Sequence, residues 1–156
     1  MTIIVAALAH HTEWLPLLAR WMIDEWPQWY GAAGPGDADA DLRSFAASQA
    51  ELPVGVIALH DETPVGMAAL KALSLPSHAH LRPWAAAGLV LPAWRGQGIG
   101  AQLLEALVAR ARGLGHAQIY CATATAASLL RRGQWTQRET VAYEGQSLAL
   151  FVKDTA

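Results

Sequence analysis

Two periods of hydrophobicity run through the chain, one typical of strands and one typical of helices. Apolar runs, several rich in β-branched residues, predict seven strands, at residues 3–7, 54–60, 65–73, 85–91, 118–122, 135–143 and 146–153. Apolar positions at helical spacing predict four helices, at residues 12–26, 39–49, 101–113 and 128–132. Thr12 is expected to cap the first helix, residues 28–37 form a glycine-rich loop, and residues 61–64 form a hairpin turn. Together these elements predict a mixed α/β sheet with helices on both faces.

Composition narrows the class of protein. The 156 residues fit one domain, residues 1–156, and a hydrophobic fraction of 53% predicts a substantial core. A net charge of −2 without a basic stripe argues against a nucleic-acid partner. The single cysteine excludes an internal disulfide and fits a reducing, cytoplasmic location. The apolar N-terminus lacks a basic leader, and no apolar run nears the ~20 residues of a membrane span, so we expect no membrane partner.

The most informative segment is residues 85–101, where an apolar strand leads through a glycine-rich loop into a helix. The first turn of a helix leaves about four N–H groups unpaired, and the helix dipole adds partial positive charge there. Gly96, Gly98 and Gly100 let the main chain approach a phosphate closely. Arg95 adds a forked, permanently charged donor. The segment therefore predicts a site for a phosphorylated cofactor.

Three known types of phosphate-binding loop are candidate interpretations of this segment. Gly96-x-Gly98-x-x-Ala101 matches the dinucleotide fingerprint, but the following strand ends without the acidic residue that binds the ribose. No Lys-Ser or Lys-Thr pair follows the glycines, which argues against a P-loop. The third type, R-x-x-G-x-G, is satisfied by Arg95, Gly98 and Gly100.

This third pattern resembles the pyrophosphate loop of the GNAT superfamily of acetyl-CoA-dependent N-acetyltransferases. The family pattern V-x-P-x-x-R also occurs here, as Val90-Leu91-Pro92-Ala93-Trp94-Arg95, and the order of elements is similar from Leu52 to Lys153. Residues 126–135 resemble the family pattern A-x-x-L-Y-x-x-x-G-F/W with two departures. The family tyrosine that often protonates the departing thiolate falls at Leu130, and the glycine is displaced by one position to Gly133.

The resemblance implies a fold and a cofactor site. The fold is a GNAT-like α/β domain, with a mixed, mostly antiparallel sheet of about seven strands flanked by about four helices. The strand at residues 85–91 is expected to splay from the next one and to bind the pantetheine arm of acetyl-CoA through its main chain, as in β-augmentation. The expected cofactor-binding residues are Gly88, Leu89, Val90, Arg95, Gly96, Gln97, Gly98, Ile99, Gly100, Ala101 and Thr123.

The resemblance also places the acceptor beside the first helix pair, which here includes residues 24–31. Its acids and aromatics can hold a cationic amine by charge and cation–π contact, although aromatics at a helix end also suit packing on the core. Glu25 is the candidate base or amine anchor, and Tyr143 is the candidate acid, with a core or hairpin role as its alternative. The expected substrate-binding residues are Trp26, Trp29, Tyr30, His80 and Arg82.

The sequence thus predicts an acyltransferase enzyme, an N-acetyltransferase that moves an acetyl group from acetyl-CoA to a primary amine by direct attack in a ternary complex. The acceptor is a small-molecule amine or a peptide N-terminus, and a homodimer is expected because family members often dimerise. No His or Cys spacing typical of a metal site occurs, so we expect no metal. Two other classes stay open: an acyl-CoA-binding module whose catalytic groups have decayed, and a dinucleotide-dependent oxidoreductase.

Overall fold

The computed structural model describes residues 2–156. Its centre is a seven-stranded sheet in the order β1-β2-β3-β4-β5-β7-β6. The strands are β1 (Ile3–Ala7), β2 (Val54–His60), β3 (Thr63–Lys71), β4 (Trp84–Val90), β5 (Gln118–Thr123), β6 (Thr136–Tyr143) and β7 (Gln146–Asp154). Neighbouring strands are antiparallel, except for the parallel pair β4 and β5. The predicted mixed, mostly antiparallel sheet of seven strands is confirmed.

The described residues form five helices where the sequence predicts four. They are α1 (Leu15–Glu25), α2 (Pro27–Tyr30), α3 (Ala38–Phe45), α4 (Ile99–Gly113) and α5 (Ala127–Arg132). The additional helix, α2, is a single turn at the start of the predicted loop. It begins at Pro27, whose fixed φ suits the first helical position.

Three predicted boundaries are wrong. Thr12 does not cap α1, because it lies in a 3₁₀ turn, and α1 begins at Leu15 with a proline in its first turn. The helix predicted at residues 39–49 begins one residue earlier, after the cap Asp37, whose carboxylate accepts a hydrogen bond of 3.0 Å from the Ala40 N–H, and it ends four residues earlier, at Phe45. The hairpin turn between β2 and β3 is also tighter than predicted, because β3 begins at Thr63.

Helices cover the sheet unequally. On one face, α4 and α5 pack over the strands through buried residues such as Leu103, Leu107 and Leu130. On the other face, α1 and α3 cover only the half that contains β1 to β4. The loop between β3 and β4 covers the remainder of that second face through Leu75 and Leu81. Within residues 2–156, no helix has the length and apolar character needed to cross a lipid bilayer.

Candidate active site

The two halves of the sheet meet along one short seam. β4 pairs with β5 only at Trp84 and Tyr120, next to a 3.0 Å hydrogen bond from the Tyr120 N–H to the Pro83 carbonyl. No further pair joins the two strands in the part of the chain that the structure describes. A V-shaped opening therefore separates their C-terminal ends, as the family resemblance implies for the strand at residues 85–91. Main-chain groups of β4 on this side have no neighbouring strand to pair with.

A bulge reshapes β4 beside the opening. Met67 pairs with Leu89, but Ala69 pairs with Ala86, so β4 holds one more residue than β3 across this step. Ala87 accommodates the extra residue in the left-handed region, with φ 53°. That conformation costs a non-glycine residue about 1–2 kcal/mol. Sequence patterns did not predict the bulge, because alanine carries no signal for a positive φ.

The main chain of Val90 faces the opening. The Leu91 N–H donates to the Val65 carbonyl at 3.0 Å, so the main-chain groups of Leu91, and of Leu89 two residues earlier, face β3. Val90 lies between them, and its N–H and carbonyl point away from β3. The expectation that Leu89 also offers free main-chain groups is therefore not met. The Val90 carbonyl accepts a hydrogen bond of 2.8 Å from Nε of Arg95, which leaves the Val90 N–H facing the opening.

The glycine loop lies between the end of β4 and the start of α4. Gly96 and Gly98 have φ values of 78° and 84°, a region that glycine adopts without steric cost. A Cβ atom built on either residue, or on Gly88 in β4, would meet no protein atom within 4 Å. No side chain caps α4 among the described residues, so its first N–H groups point toward open space. The buried side chain of Ile99 anchors this helix start on the core.

Arg95 and Glu25 form an ion pair that the sequence analysis did not foresee. Nη2 of Arg95 lies 3.2 Å and 3.4 Å from the two carboxylate oxygens of Glu25. Both side chains are about half exposed. Glu25 ends α1, which packs on the face of the sheet opposite to α4. The pair therefore joins the predicted amine anchor to the predicted cofactor ligand.

The predicted acceptor aromatics differ in how much of their surface is free. Tyr30 is half-buried and donates a hydrogen bond of 2.6 Å to the Asp41 carboxylate, which ties α2 to α3. Burial, helped by this carboxylate, raises the pKa of Tyr30 above its ordinary value. Trp26 is half-buried against the core cluster beneath α1 and α3. Trp29 is 42% exposed and is the aromatic with most surface to offer a ligand.

Residues 24–41 contain five acids and no Lys, Arg or His. Three of these acids have structural roles. Asp37 caps α3 and Asp39 lies in its first turn, where the helix dipole favours negative charge, while Asp41 accepts from Tyr30. The other two, Asp24 and Glu25, end α1, where the dipole disfavours a carboxylate.

Tyr143 lies on the same face of the sheet as α1. Ala86 pairs with Ala69, which packs beneath α1, so Trp84, two residues before Ala86, points to that face. The half-buried ring of Tyr143 belongs to the cluster around Trp84. Tyr143 ends β6, and the hairpin to β7 continues beyond Thr123, the last residue of β5. Tyr143 is thus beyond the end of β5 and on the predicted acceptor side.

The structure does not bring His80 and Arg82 to the opening. The His80 ring stacks on His78, with centroids 6.1 Å apart, and Nε2 of His78 lies 3.2 Å from a carboxylate oxygen of Glu139 on β6. The edge strand β6 lies three strands from β4, or about 14 Å away. Arg82 precedes β4 at the end opposite to Val90, roughly 25 Å along the strand. Within residues 2–156, no group of three or more His, Cys, Asp or Glu side chains could hold a metal ion.

Two positions that were matched to the family pattern, Thr123 and Leu130, differ in their location: the first lies beside the opening and the second in the core. Thr123 lies at the end of β5, beside the opening, and its Oγ1 accepts hydrogen bonds from the Thr125 and Ala126 N–H groups at 3.1 Å and 2.8 Å. This turn leads into α5. Leu130 is 1% exposed and belongs to the core between α4 and the sheet. No proton donor can therefore act from the position where the family tyrosine falls.

Comparison with known proteins gives one match to a family model. The model described as "Acetyltransferase (GNAT) family" matches residues 16–132. This range includes all of α1 except Leu15, and also the opening, the glycine loop and α5. The match favours the R-x-x-G-x-G interpretation of the loop over the dinucleotide fingerprint. No curated protein matches the chain.

Several solved structures share the fold at low sequence identity. An aminoglycoside 6'-N-acetyltransferase complexed with coenzyme A has a TM-score of 0.79 at 10% identity, over 98% of this chain and 97% of that one. The aminoglycoside 6'-N-acetyltransferase from Enterococcus faecium has a TM-score of 0.77 at 11% identity, over 98% and 97%. An N-acetyltransferase from Staphylococcus aureus Mu50 has a TM-score of 0.71 at 17% identity, over 100% of both chains. At these identities, the likeness shows the fold alone.

Proposed function

Because the chain belongs to the GNAT acetyltransferase family, whose cosubstrate is acetyl-CoA, we propose that it acetylates a primary amine by direct attack in a ternary complex. The observation that carries this proposal is the opening between β4 and β5. The Val90 N–H faces into it, and the glycine loop with the uncapped start of α4 lies at its mouth. A thioester in the opening would have a hydrogen-bond donor for its carbonyl and an anion site for its phosphates.

Each part of acetyl-CoA has a chemical counterpart along this path. The pyrophosphate suits the first N–H groups of α4, because Gly96 and Gly98 leave the approach free of Cβ atoms. The amides of pantetheine suit the unpaired main chain near Gly88, as an added strand would. The thioester carbonyl would then accept from the Val90 N–H, which stabilises the oxyanion that forms during attack.

The reaction requires one proton to leave the acceptor before attack. An alkylamine with a pKa near 10 is mostly protonated at neutral pH, so a base must take that proton. The neutral nitrogen attacks the thioester carbon, the C–S bond breaks, and the thiolate leaves. The second proton on nitrogen is lost as the amide forms, and the thiolate takes up one proton to give coenzyme A. Glu25 is our candidate base or amine anchor, and Tyr143 our candidate acid.

A small cationic acceptor fits the charges around α1 best. The carboxylates of Asp24 and Glu25 and the exposed face of Trp29 attract an ammonium group by charge and by cation–π contact. The aminoglycoside 6'-N-acetyltransferases that share the fold act on polycationic amines, which supports the same class here. A peptide N-terminus is the second acceptor to test.

One observation favours an alternative function. Leu130 is buried where the family tyrosine falls, so the usual acid is missing. An acyl-CoA-binding module without turnover is consistent with that loss. General acid help typically contributes about 10²–10⁴ in rate, and a thiol with a pKa near 8.5 is a fair leaving group, so the loss need not abolish turnover.

The test is thiol release from acetyl-CoA across polyamines, aminoglycosides, amino acids and short peptides. Acceptor-dependent release, with mass spectrometry of the acetylated product, would establish the transferase and its substrate class. Thermal stabilisation by acetyl-CoA without release on any acceptor would favour the binding module.

A proline at residue 90 tests the role of the main chain. Val90→Pro removes an N–H that makes no hydrogen bond to β3, so the sheet pairing is kept. Loss of one oxyanion donor typically lowers kcat about 10²–10³-fold. Val90→Ala, which keeps the N–H, is the matched control. Equal kcat values for the two variants would exclude the Val90 N–H as the oxyanion donor.

A further inference from the structure

The C-terminal end of α1 has the wrong charge for a helix end. The last turn of a helix carries the negative end of the dipole, which favours Lys, Arg or His there. α1 ends instead in Asp24 and Glu25, with no basic residue in its last turn. The dipole and the two carboxylates repel one another. Violations of this kind are expected at functional sites, where stability is lost for another purpose.

Arg95, which follows the end of β4, compensates one of the two carboxylates. Its Nη2 is 3.2 Å from one oxygen of Glu25, and its Nε is 2.8 Å from the Val90 carbonyl. The Val90 contact holds the guanidinium at the mouth of the opening. Asp24, one residue earlier, has no ion pair in the described part of the chain. Arg95 thus forms an ion pair with Glu25 and none with Asp24.

We infer that Glu25 and Arg95 form a charge-exchange pair that couples the binding of the two substrates. Without coenzyme A, Glu25 is neutralised by Arg95 and is a poor partner for an amine. When a pyrophosphate binds at the glycine loop, Arg95 turns from Glu25, which it contacts through Nη2 alone, to the phosphate oxygens, which can accept two parallel hydrogen bonds from a guanidinium. The freed carboxylate of Glu25 then binds the ammonium group of the acceptor. The inference rests on the proposed function for the identity of the two ligands.

The exposure of the pair suits an exchange of partners. The two side chains are 49% and 41% exposed, and exposed ion pairs contribute little to stability and reform readily. Arg95 directly precedes Gly96, so its side chain starts at the loop where the phosphates are expected. A small change in its side-chain torsion angles can therefore move the guanidinium from Glu25 toward the phosphates while Nε stays near β4.

The pair has an unusual consequence for cofactor affinity. Because coenzyme A must take Arg95 from Glu25, the carboxylate of Glu25 opposes the binding of coenzyme A. Removing the carboxylate of Glu25, a candidate catalytic group, should therefore raise the affinity for coenzyme A.

The experiment is calorimetric titration of coenzyme A into the protein at low salt. We expect Glu25→Gln, and equally Glu25→Ala, to bind coenzyme A about two- to fivefold more tightly than the unaltered protein, the range of an exposed ion pair. Asp24→Asn is the matched control. It also removes one negative charge, but Asp24 lies one residue before Glu25 and has no ion pair in the described part of the chain. Its affinity for coenzyme A should change less than about twofold.

A double-mutant cycle separates exchange from a general field effect. In an Arg95→Gln background, Glu25→Gln should no longer tighten the binding of coenzyme A, since no guanidinium remains to be released. An unchanged or weaker affinity of Glu25→Gln would overturn the inference. An equal gain from Asp24→Asn, or a gain that persists without Arg95, would do the same. These titrations need no acceptor, so a failure to find acetyl transfer would count against the proposed function alone.

Discussion

Replacing Gly98 with alanine separates the two roles of the glycine loop, its backbone conformation and its approach to an anion. Gly98 has φ 84° at the start of α4, and a Cβ atom there would meet no protein atom within 4 Å. Alanine therefore causes no clash, and the cost is conformational, about 1–2 kcal/mol of unfolding free energy. For a chain of this size, that corresponds to a fall in Tm of about 2–8 °C.

Gly115 provides a matched control. It has φ 89°, and a Cβ atom on it also meets open space. It lies beyond the other end of α4, a helix of 15 residues, and so about 22 Å from the loop. Gly115→Ala should lose the same stability as Gly98→Ala, because the conformational cost is the same.

The two variants should differ in the binding of coenzyme A. The methyl group of Gly98→Ala stands before the first N–H groups of α4, where the pyrophosphate is expected, and should weaken binding at least about tenfold, or 1.4 kcal/mol. Thermal unfolding by circular dichroism and calorimetric titration measure the two effects separately. If Gly98→Ala binds coenzyme A within a factor of two of Gly115→Ala, the loop does not hold the pyrophosphate.

Two further substitutions test the burial of Leu130 and of Cys121. Leu130→Tyr should lower Tm and leave turnover no higher, because Leu130 is 1% exposed and a larger polar ring overpacks the core; a rise in turnover would place this residue in the active site. Cys121 is half-buried, and burial raises the pKa of its thiol to about 12, so the native protein should react with a thiol reagent much more slowly than the unfolded chain. The folded state keeps this proton, so the Cys121 contribution to the free energy of unfolding is complete below about pH 9 and falls by up to about 1.4 kcal/mol per pH unit as pH rises toward 12. In a pH series of denaturant titrations, Cys121→Ala should remove this share of the alkaline loss, whereas the share that Tyr30 contributes above about pH 10 should stay.

The segments that could be predicted are those whose signals are local. The apolar strand, the alternating glycines and the amphipathic helix between residues 85 and 113 each fix their own conformation. The splay of β4 was expected from the family resemblance, and the register confirms it. The seven strands were also found, since each contains a short apolar run bounded by turn residues.

The segments that could not be predicted depend on contacts between distant residues. The ion pair of Arg95 and Glu25 joins residues that are 70 positions apart, and no pattern in either segment predicts it. The bulge at Ala87 exists because β3 pairs on both sides of it, which is a property of two strands together. Leu130 occupies the family position of a polar side chain, and only packing against α4 and the sheet explains its burial.

The seam between β4 and β5 has a consequence for association with other chains. Unpaired strand edges recruit further strands and lead to aggregation, and most proteins meet that hazard at the outside of a sheet. This protein keeps an edge inside its sheet, closed at one end by Trp84 and Tyr120 and covered by α4. A folded neighbour cannot lay a strand there, because the gap ends within one sheet and narrows toward the pair. The unpaired main chain that we propose for pantetheine is therefore better protected from strand addition by a neighbouring chain than an outer edge would be.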